Sequence, residues 1–203
     1  TLEYDDAIHE IENIVQNIDE PFADSSVIPT YFVSKSASQH VKVVLTGDGG
    51  DELFGGYNKY LIDYYSDKMN FMYSVFGKKI FSSIAKNMPE KSFLQRKIRK
   101  VFEYSSLDKY NQRLSLMSLG FDSNSIKSLL KSGYVDKSTA FVKQHYLSQK
   151  ENVNDELSQA LYTDFRVVLE GDMLVKVDRM SMLNSLEARV PILGKEMLEL
   201  SAR

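Results

Sequence analysis

The residues most able to do chemistry lie in one short acidic, glycine-rich segment. It runs from Thr46 to Glu52 and reads Thr-Gly-Asp-Gly-Gly-Asp-Glu. Carboxylate oxygens, here from Asp48, Asp51 and Glu52, are ligands that Mg2+ prefers. The glycines permit backbone conformations closed to other residues and let a ligand approach the main chain. The segment therefore suits a metal ion that bridges to phosphate groups.

An apolar run precedes this segment and predicts a buried strand. It extends from Val41 to Leu45, is rich in β-branched residues and ends just before the glycines. A helix is predicted to begin near Glu52, and Asp51 could simply cap that helix. Two interpretations therefore stay open for the same residues, a ligand-binding loop or an ordinary strand-to-helix turn.

A second segment, from Asp172 to Pro191, carries two further cations of interest. Lys176 and Arg179 are three residues apart, so on a helix their side chains reach the same side. A pre-placed cation stabilises the negative charge that develops on a phosphate in a dry site. The alternative is an exposed helical salt bridge between Asp172 and Lys176.

Together, Gly47 to Tyr57 and Asp172 to Pro191 closely resemble the synthetase domain of glutamine-dependent asparagine synthetases. Weaker similarity covers Asp19 to Pro29, and Lys59 to Glu156 carries no matching motif. The resemblance implies an α/β fold with a parallel-sheet, ATP-pyrophosphatase-like synthetase domain. This chain would supply a mainly helical part of that domain with one clear strand. Residues 1–203 are accordingly expected to be the C-terminal part of a longer enzyme, whose pyrophosphate loop and glutaminase domain lie upstream.

For the first motif, the resemblance implies a nucleotide site. Asp51 matches the loop aspartate that helps to hold Mg2+ on the ATP phosphates. Asp48 matches a Glu or Asp position proposed to act near the reacting aspartate and ammonia, as acid, base or orienting group. The neighbouring glycines would shape the loop for ligand approach: Gly47, Gly49 and Gly50.

For the second motif, the resemblance implies electrostatic catalysis. Arg179 aligns with a catalytic lysine of some family members, and arginine in that place can stabilise charge but not shuttle protons. Lys176 is the other candidate cation. Glu187 is expected to join the catalytic set by assisting with the amine or holding a cation in place. Arg189 is expected to brace a loop through an ion pair.

The implied reaction is ATP-dependent amide synthesis. Aspartate would be activated by Mg-ATP as an acyl-adenylate, and ammonia released from glutamine would displace AMP to give asparagine. The partners would be aspartate, ATP and an N-terminal glutaminase domain of the same polypeptide, with a homodimer as a further option. The chain alone is expected to be inactive. Two alternatives remain, an amidotransferase of the same family with another carboxylate acceptor and a non-catalytic binding module.

Composition narrows the class of protein. The chain has 203 residues, of which 43% are hydrophobic and 26% charged, enough to bury a substantial core. Its net charge of -3 gives no general attraction to nucleic acid or acidic membranes. No cysteine is present, which excludes disulfides and fits a cytoplasmic location, and no apolar run is long enough to span a bilayer. The basic run from Lys78 to Lys100 predicts a solvated helix face, with a phosphate or nucleic-acid patch as the alternative.

Apolar spacing predicts helices around these segments. Pro29 is expected to open a helix that leads into the strand, and Gly171 to end a later one. A first helix is predicted from apolar residues that share one face: Tyr4, Ile8, Ile11, Val15 and Ile18.

Overall fold

The computed structural model describes most of the chain. The described residues are 4–65, 68, 80, 83, 87, 93–104, 107, 109–117, 128–130, 137–148 and 155–202. Contacts divide the chain into two compact units. The discontinuous unit combines residues 1–54 with residues 164–203, and the continuous unit is residues 55–163.

Helices predominate in the described residues, as the sequence predicts. Residues 58–65 are helical. The elements with defined bounds are, in chain order, α1 (Tyr4–Gln16), α2 (Val27–Ser38), β1 (Val43–Leu45), α3 (Gly50–Phe54), α4 (Phe93–Tyr104), α5 (Lys109–Met117), α6 (Lys137–Ser148), α7 (Glu156–Asp164), a π-helix (Phe165–Met173), α8 (Leu174–Leu183), β2 (Glu187–Arg189), a 3-10 helix (Pro191–Leu193) and α9 (Lys195–Ser201).

Two parallel strands form the sheet of the discontinuous unit. Val43 lies opposite Glu187, and Leu45 lies opposite Arg189. The strand predicted before the glycines is confirmed, but its predicted burial is wrong, because Val43 and Leu45 are 41% and 72% exposed. Alternate side chains of a strand point to opposite faces, so these two share one face, which the described residues leave open.

The second strand was not predicted. Glu187–Arg189 has only three residues, Glu-Ala-Arg, and none of them is β-branched or aromatic. Its position comes instead from the turn that ends α8. Ser185 has a φ of 54°, its N–H donates to Met182, and the N–H of Leu186 donates to Ser181. This pair of bonds is a Schellman motif, which closes the helix and directs the chain into β2.

The core of the discontinuous unit lies among α1, α2 and α8. Ile14, Tyr31 and Met180 are 1%, 4% and 0% exposed, and Phe32 packs edge-on against Tyr31. The helix α2 begins at Val27, so Pro29 lies in its first turn, where the missing N–H of proline is tolerated. Burial of these apolar side chains holds α2 and α8, the helices that precede β1 and β2 in the sequence, together.

The apolar face predicted for α1 is not the face that packs against the core. Ile8, Ile11 and Val15 are 49%, 38% and 62% exposed, whereas Ile14 is fully buried. The helix carries apolar residues around more than one stripe, so periodicity alone does not determine which stripe packs on α2. Ile18 lies beyond the end of the helix and is half-buried against the core.

The predicted helix end at Gly171 is also wrong. Gly171 lies inside the π-helix, and a Cβ built there would meet nothing within 4 Å. The helical path then continues into α8. Isolated glycine lowers helix propensity by about 1 kcal/mol, which tertiary packing readily overrides. π-Helical turns are rare and occur often near functional sites.

A polar network occupies the interior of the continuous unit. Arg113 and Gln112 are 1% and 0% exposed. Arg113 lies 3.3 Å from Asp63 and donates a bond of 3.2 Å to the carbonyl of Ala160, while Gln112 donates a bond of 2.6 Å to Asp63. Lys109 approaches Asp63 at 3.9 Å and pairs with Glu156 at 2.9 Å. Buried charges of this kind require such compensation.

The predicted basic run lies partly outside the described residues. Within α4, Arg96 and Lys100 are exposed, and Lys97 donates a bond of 2.9 Å to Asn58. This arrangement agrees with a solvated helix face. None of the described helices has the length and apolar character required to cross a membrane.

Candidate active site at the strand ends

The two loops that leave the sheet emerge at the same edge. Because β1 and β2 are parallel, their carboxyl ends coincide, and ligands of open α/β sheets bind outside that edge. Thr46 follows β1 directly, and its N–H donates a bond of 2.9 Å to the carbonyl of Arg189. The acidic glycine loop, Gly47 to Glu52, starts there, and the 3-10 helix follows β2.

The two loops pack against each other at the glycines. Gly49 is buried with a φ of +86°, a conformation that favours glycine. A Cβ there would overlap Leu193 and would lie 3.5 Å from Leu169 of the π-helix. Gly50 lies close to Ile192, at 3.3 Å for a built Cβ, whereas Gly47 has open space around it. Gly49 and Gly50 therefore serve packing, and Gly47 leaves the main chain accessible.

The carboxylates of the acidic glycine loop have different surroundings. Asp51 is exposed in the first turn of α3, which begins at Gly50, so Asp51 is not the capping residue. Asp48 is half-buried, and Glu52 is 2% exposed. Among the described residues, neither the side chain of Asp48 nor that of Asp51 has a hydrogen bond or an ion pair. Both side chains are thus available to a ligand.

The loop does not form a metal cage from protein groups alone. Within the described parts of the chain, no three His, Cys, Asp or Glu side chains lie close enough together to hold a metal ion. Mg2+ commonly takes one or two carboxylates and completes its shell with phosphate oxygens and water. Asp51 fits that mode of binding.

Thr46 is a candidate that the sequence analysis missed. Its Oγ1 is buried, and no hydrogen-bond partner for it exists among the described residues. A buried hydroxyl without a partner is costly, so this one is expected to meet a ligand or a further group. The available signal was a polar residue at the junction of an apolar strand and a glycine loop.

Lys176 forms a buried ion pair with a residue that the sequence analysis did not single out. Its Nζ lies 2.7 Å from Oδ2 of Asp24 and donates a bond of 2.7 Å to Oγ of Ser26. The alternative pairing with Asp172 is therefore wrong. Asp24 and Ser26 lie in the segment of weaker family similarity, Asp19 to Pro29, which was the signal that could have identified them.

Arg179 pairs with Asp19, and both side chains are largely exposed. Both cations of α8 therefore contact carboxylates of the Asp19 to Asp24 segment, which confirms that they reach the same side of the helix. The acidic glycine loop and these two cations belong to the discontinuous unit, but no described hydrogen bond or ion pair joins Lys176 or Arg179 to that loop.

Glu187 lies away from the strand-end loops. It stands opposite Val43, at the amino end of β1, and accepts a bond of 2.7 Å from Nε of Arg189. Both side chains of this pair are exposed. Arg189 does form an ion pair, but with a residue of the same strand, so its role in bracing a loop stays a prediction. The catalytic part of Glu187 stays a prediction as well.

An apolar cavity elsewhere lacks the chemistry of a nucleotide site. It measures about 350 Å³ and lies in the continuous unit, between residues 58–65 and α4. Leu61 and Phe102 are among the residues that line it, and its walls are almost entirely carbon. Such a cavity has few polar groups to orient phosphates, so the strand ends are the better candidate site.

Known proteins resemble this chain over its whole length. The family model described as asparagine synthase matches residues 1–203. The chain belongs to the asparagine synthase family. The α/β fold class and the resemblance seen in the two motifs are thereby confirmed.

Individual members of the asparagine synthase family are similar in sequence to nearly the whole of this chain. The glutamine-hydrolyzing asparagine synthetase 1 of Bacillus subtilis (strain 168) is 34% identical over 200 residues, which are 97% of this chain and 30% of that protein. A protein of Mycobacterium tuberculosis (strain ATCC 25618 / H37Rv), named provisionally as a glutamine-hydrolyzing asparagine synthetase, is 30% identical over 203 residues, 98% of this chain and 29% of that protein. The chain thus spans about 30% of the length of these relatives. No solved structure matches it.

Proposed function

We propose that the intact protein containing this chain is a glutamine-hydrolysing asparagine synthetase. It would join ammonia from glutamine to the side-chain carboxylate of aspartate in a reaction driven by ATP. The observation that carries the proposal is the acidic glycine loop at the shared carboxyl edge of two parallel strands, in a chain that matches the asparagine synthase family throughout. The name of the relative from Bacillus subtilis, a glutamine-hydrolyzing asparagine synthetase, supports the same reaction.

The nucleotide would be held at the acidic glycine loop. Gly47 leaves space for a ligand at the main chain, and Asp51 offers an exposed carboxylate to Mg2+ on the phosphates. The bound Mg2+ would neutralise phosphate charge. The buried hydroxyl of Thr46 would donate to a substrate oxygen at the same edge.

The reaction would proceed in two steps. A carboxylate oxygen of aspartate attacks the α-phosphorus of ATP, which forms the aspartyl-adenylate and releases pyrophosphate. The nitrogen of ammonia then attacks the acyl carbon, AMP leaves, and the nitrogen loses a proton. Asp48 would orient the ammonia or accept that proton, since its side chain is half-buried in the loop and has no described partner. A cation of α8 would stabilise the phosphate charge.

The parts of the intact protein outside this chain stay predictions. The upstream pyrophosphate loop and the glutaminase domain would supply the other half of the nucleotide site and the ammonia. The homodimer and the cytoplasmic location stay predictions in the same sense.

Asparagine and AMP formation by the intact protein would test this proposal. With aspartate, ATP and glutamine, we expect equal amounts of both products. Replacing Asp51 with Asn should raise the Mg2+ concentration needed for half-maximal synthesis by about tenfold or more, because the loop loses an anionic ligand. Glutamine hydrolysis should continue. Glu196→Gln, which changes another exposed carboxylate, is the matched control.

Two results would contradict the assignment. A protein that hydrolyses glutamine but leaves aspartate unchanged would favour a different carboxylate acceptor. An Asp51→Asn variant with unchanged Mg2+ dependence would remove Asp51 from the metal site.

A further inference from the structure

Lys176 has its hydrogen-bonding capacity engaged within the protein. The ammonium group has three donors. Nζ lies 2.7 Å from Asp24, 2.7 Å from Ser26 and 3.3 Å from the sulfur of Met173, and the side chain is 9% exposed. Two strong acceptors and one weak one therefore surround it. Little donor capacity is left for a substrate phosphate.

Asp24 is itself fixed by the start of α2. Its Oδ1 accepts the N–H of Ser26 at 2.9 Å, and its Oδ2 accepts the hydroxyl of Ser26 at 2.6 Å. Burial raises the pKa of Asp24, but the hydrogen bonds from Lys176 and Ser26 outweigh burial and leave this pKa below its ordinary value. The carboxylate stays ionised near neutral pH, so Lys176 faces a full negative charge.

Arg179, one turn further along α8, has different surroundings. Its side chain is 46% exposed, and its described partner, Asp19, is 67% exposed. The guanidinium has five donors in a planar fork, which suits phosphate oxygens. An exposed ion pair is weak enough for an anionic ligand to displace Asp19.

We propose that Lys176 is a positioning residue and that Asp24 and Ser26 complete a polar clamp with it. Arg179, which aligns with a catalytic lysine of some family members, then remains as the cation of α8 that meets the phosphate. The clamp, defined as Asp24, Ser26 and Lys176, joins the segment before α2 to the start of α8. It thereby fixes the turn of α8 that presents Arg179. This inference rests on the proposed function.

A double variant that removes both charges of the clamp distinguishes a positioning role of Lys176 from a catalytic one. In the intact protein, Lys176→Met should lower kcat per folded molecule about tenfold or more, because it leaves Asp24 charged without its cation and shifts α8. The double variant Lys176→Met with Asp24→Asn removes both charges, and Asn can still accept the N–H of Ser26. It should return to within about threefold of the wild type.

For Arg179 we expect a direct effect on catalysis and none on stability. Arg179→Met should lower kcat about a hundredfold or more with an unchanged unfolding midpoint. A double variant as slow as Lys176→Met alone would overturn the proposal, since a catalytic lysine cannot be replaced by neutralising its partner. An Arg179→Met enzyme with near wild-type kcat would overturn it as well.

The free energy of unfolding separates this proposal from the proposed function. If the wild type makes no amide from aspartate, the proposed function fails, and a thermodynamic cycle in urea still decides the clamp. Lys176→Met and Asp24→Asn should each lower the unfolding midpoint, and together they should lower it by less than the sum. The exposed pair Lys195 and Glu199, replaced by Met and Gln, should be additive. Additivity at Lys176 and Asp24 would refute the clamp.

Discussion

The two units of this chain each bury a charged cluster, and the clusters differ in what surrounds them. In the continuous unit, Arg113 is almost fully buried and pairs with Asp63. In the discontinuous unit, Lys176 is nearly as buried and pairs with Asp24. Only the second cluster lies in the unit that contains the parallel strands and the acidic glycine loop.

This comparison shows that a buried charge does not by itself identify an active site. The network around Arg113 connects α5, α7 and residues 58–65, so its visible role is to hold those helices together. The clamp joins the segment before α2 to α8, and these two helices lead into β1 and β2. An active site is better indicated by the position of its residues relative to the strand ends and by side chains that are available to a ligand.

The largest expected effect is on stability at Arg113. Arg113→Met removes the guanidinium that pairs with buried Asp63 at 3.3 Å, so the free energy of unfolding should fall by about 3 kcal/mol. Asparagine formation per folded molecule should not change. Urea unfolding measures the first quantity, with the exposed Arg166→Met, whose pairing with Glu170 is weak, as control. A matching loss of kcat would show that the continuous unit contributes to catalysis.

A smaller effect is expected at Gly49. Gly49→Ala forces a side chain into a positive φ and against Leu193, so we expect a loss of about 2 kcal/mol in the free energy of unfolding. Synthesis should fall further than stability explains, because the acidic glycine loop moves. Gly47→Ala, which meets open space, should change stability by less than about 0.5 kcal/mol. Equal losses at both glycines would contradict the observed packing of the two loops.

The smallest effect concerns an ion pair at the surface of the discontinuous unit. Hydrogen bonds from Lys35, at 2.5 Å, and from Tyr31, at 2.7 Å, lower the pKa of Glu10 to about 2. Since the folded pKa lies below the ordinary value of 4.5, the stabilisation is present above about pH 4.5 and disappears as pH falls towards 2.

Glu10→Gln should therefore lower the free energy of unfolding near neutral pH, by at most about 1 kcal/mol, and have less effect near about pH 3. Urea unfolding at both pH values measures this difference. Glu12→Gln, at an exposed position on the same helix, is the control. An effect that grows as pH falls would reverse the assigned sign.

The sequence predicted the parts of the fold that local rules determine. The strand before the glycines and the helices α1 and α2 were predicted from apolar spacing and from the position of Pro29. β2 could not be predicted, because Glu187–Arg189 has no strand propensity and depends on pairing with β1. The residue of α1 that is buried could not be predicted for a related reason. Packing on α2 selects Ile14 from several apolar residues.

The candidate site was predicted in its residue types more than in its contacts. Asp48 and Asp51 were named as candidates from the loop itself, whereas the packing of Gly49 and Gly50 against Leu193 and Ile192 was not predicted. Asp24 and Ser26 were missed because their role depends on Lys176, 152 and 150 residues away in the sequence. The buried hydroxyl of Thr46 required coordinates for the same reason, since burial of a single polar atom is not a sequence pattern.

The division of the chain into units also affects how the protein can fold. The clamp joins residues 152 apart in sequence, and β1 can pair only once β2, far downstream in the sequence, is present. Closing such a long loop is slow, whereas residues 55–163 can form contacts among neighbours in sequence. During synthesis α2 and β1 therefore emerge well before their partners α8 and β2 exist. We expect the continuous unit to fold first and the candidate site to assemble last, once residue 189 has left the ribosome.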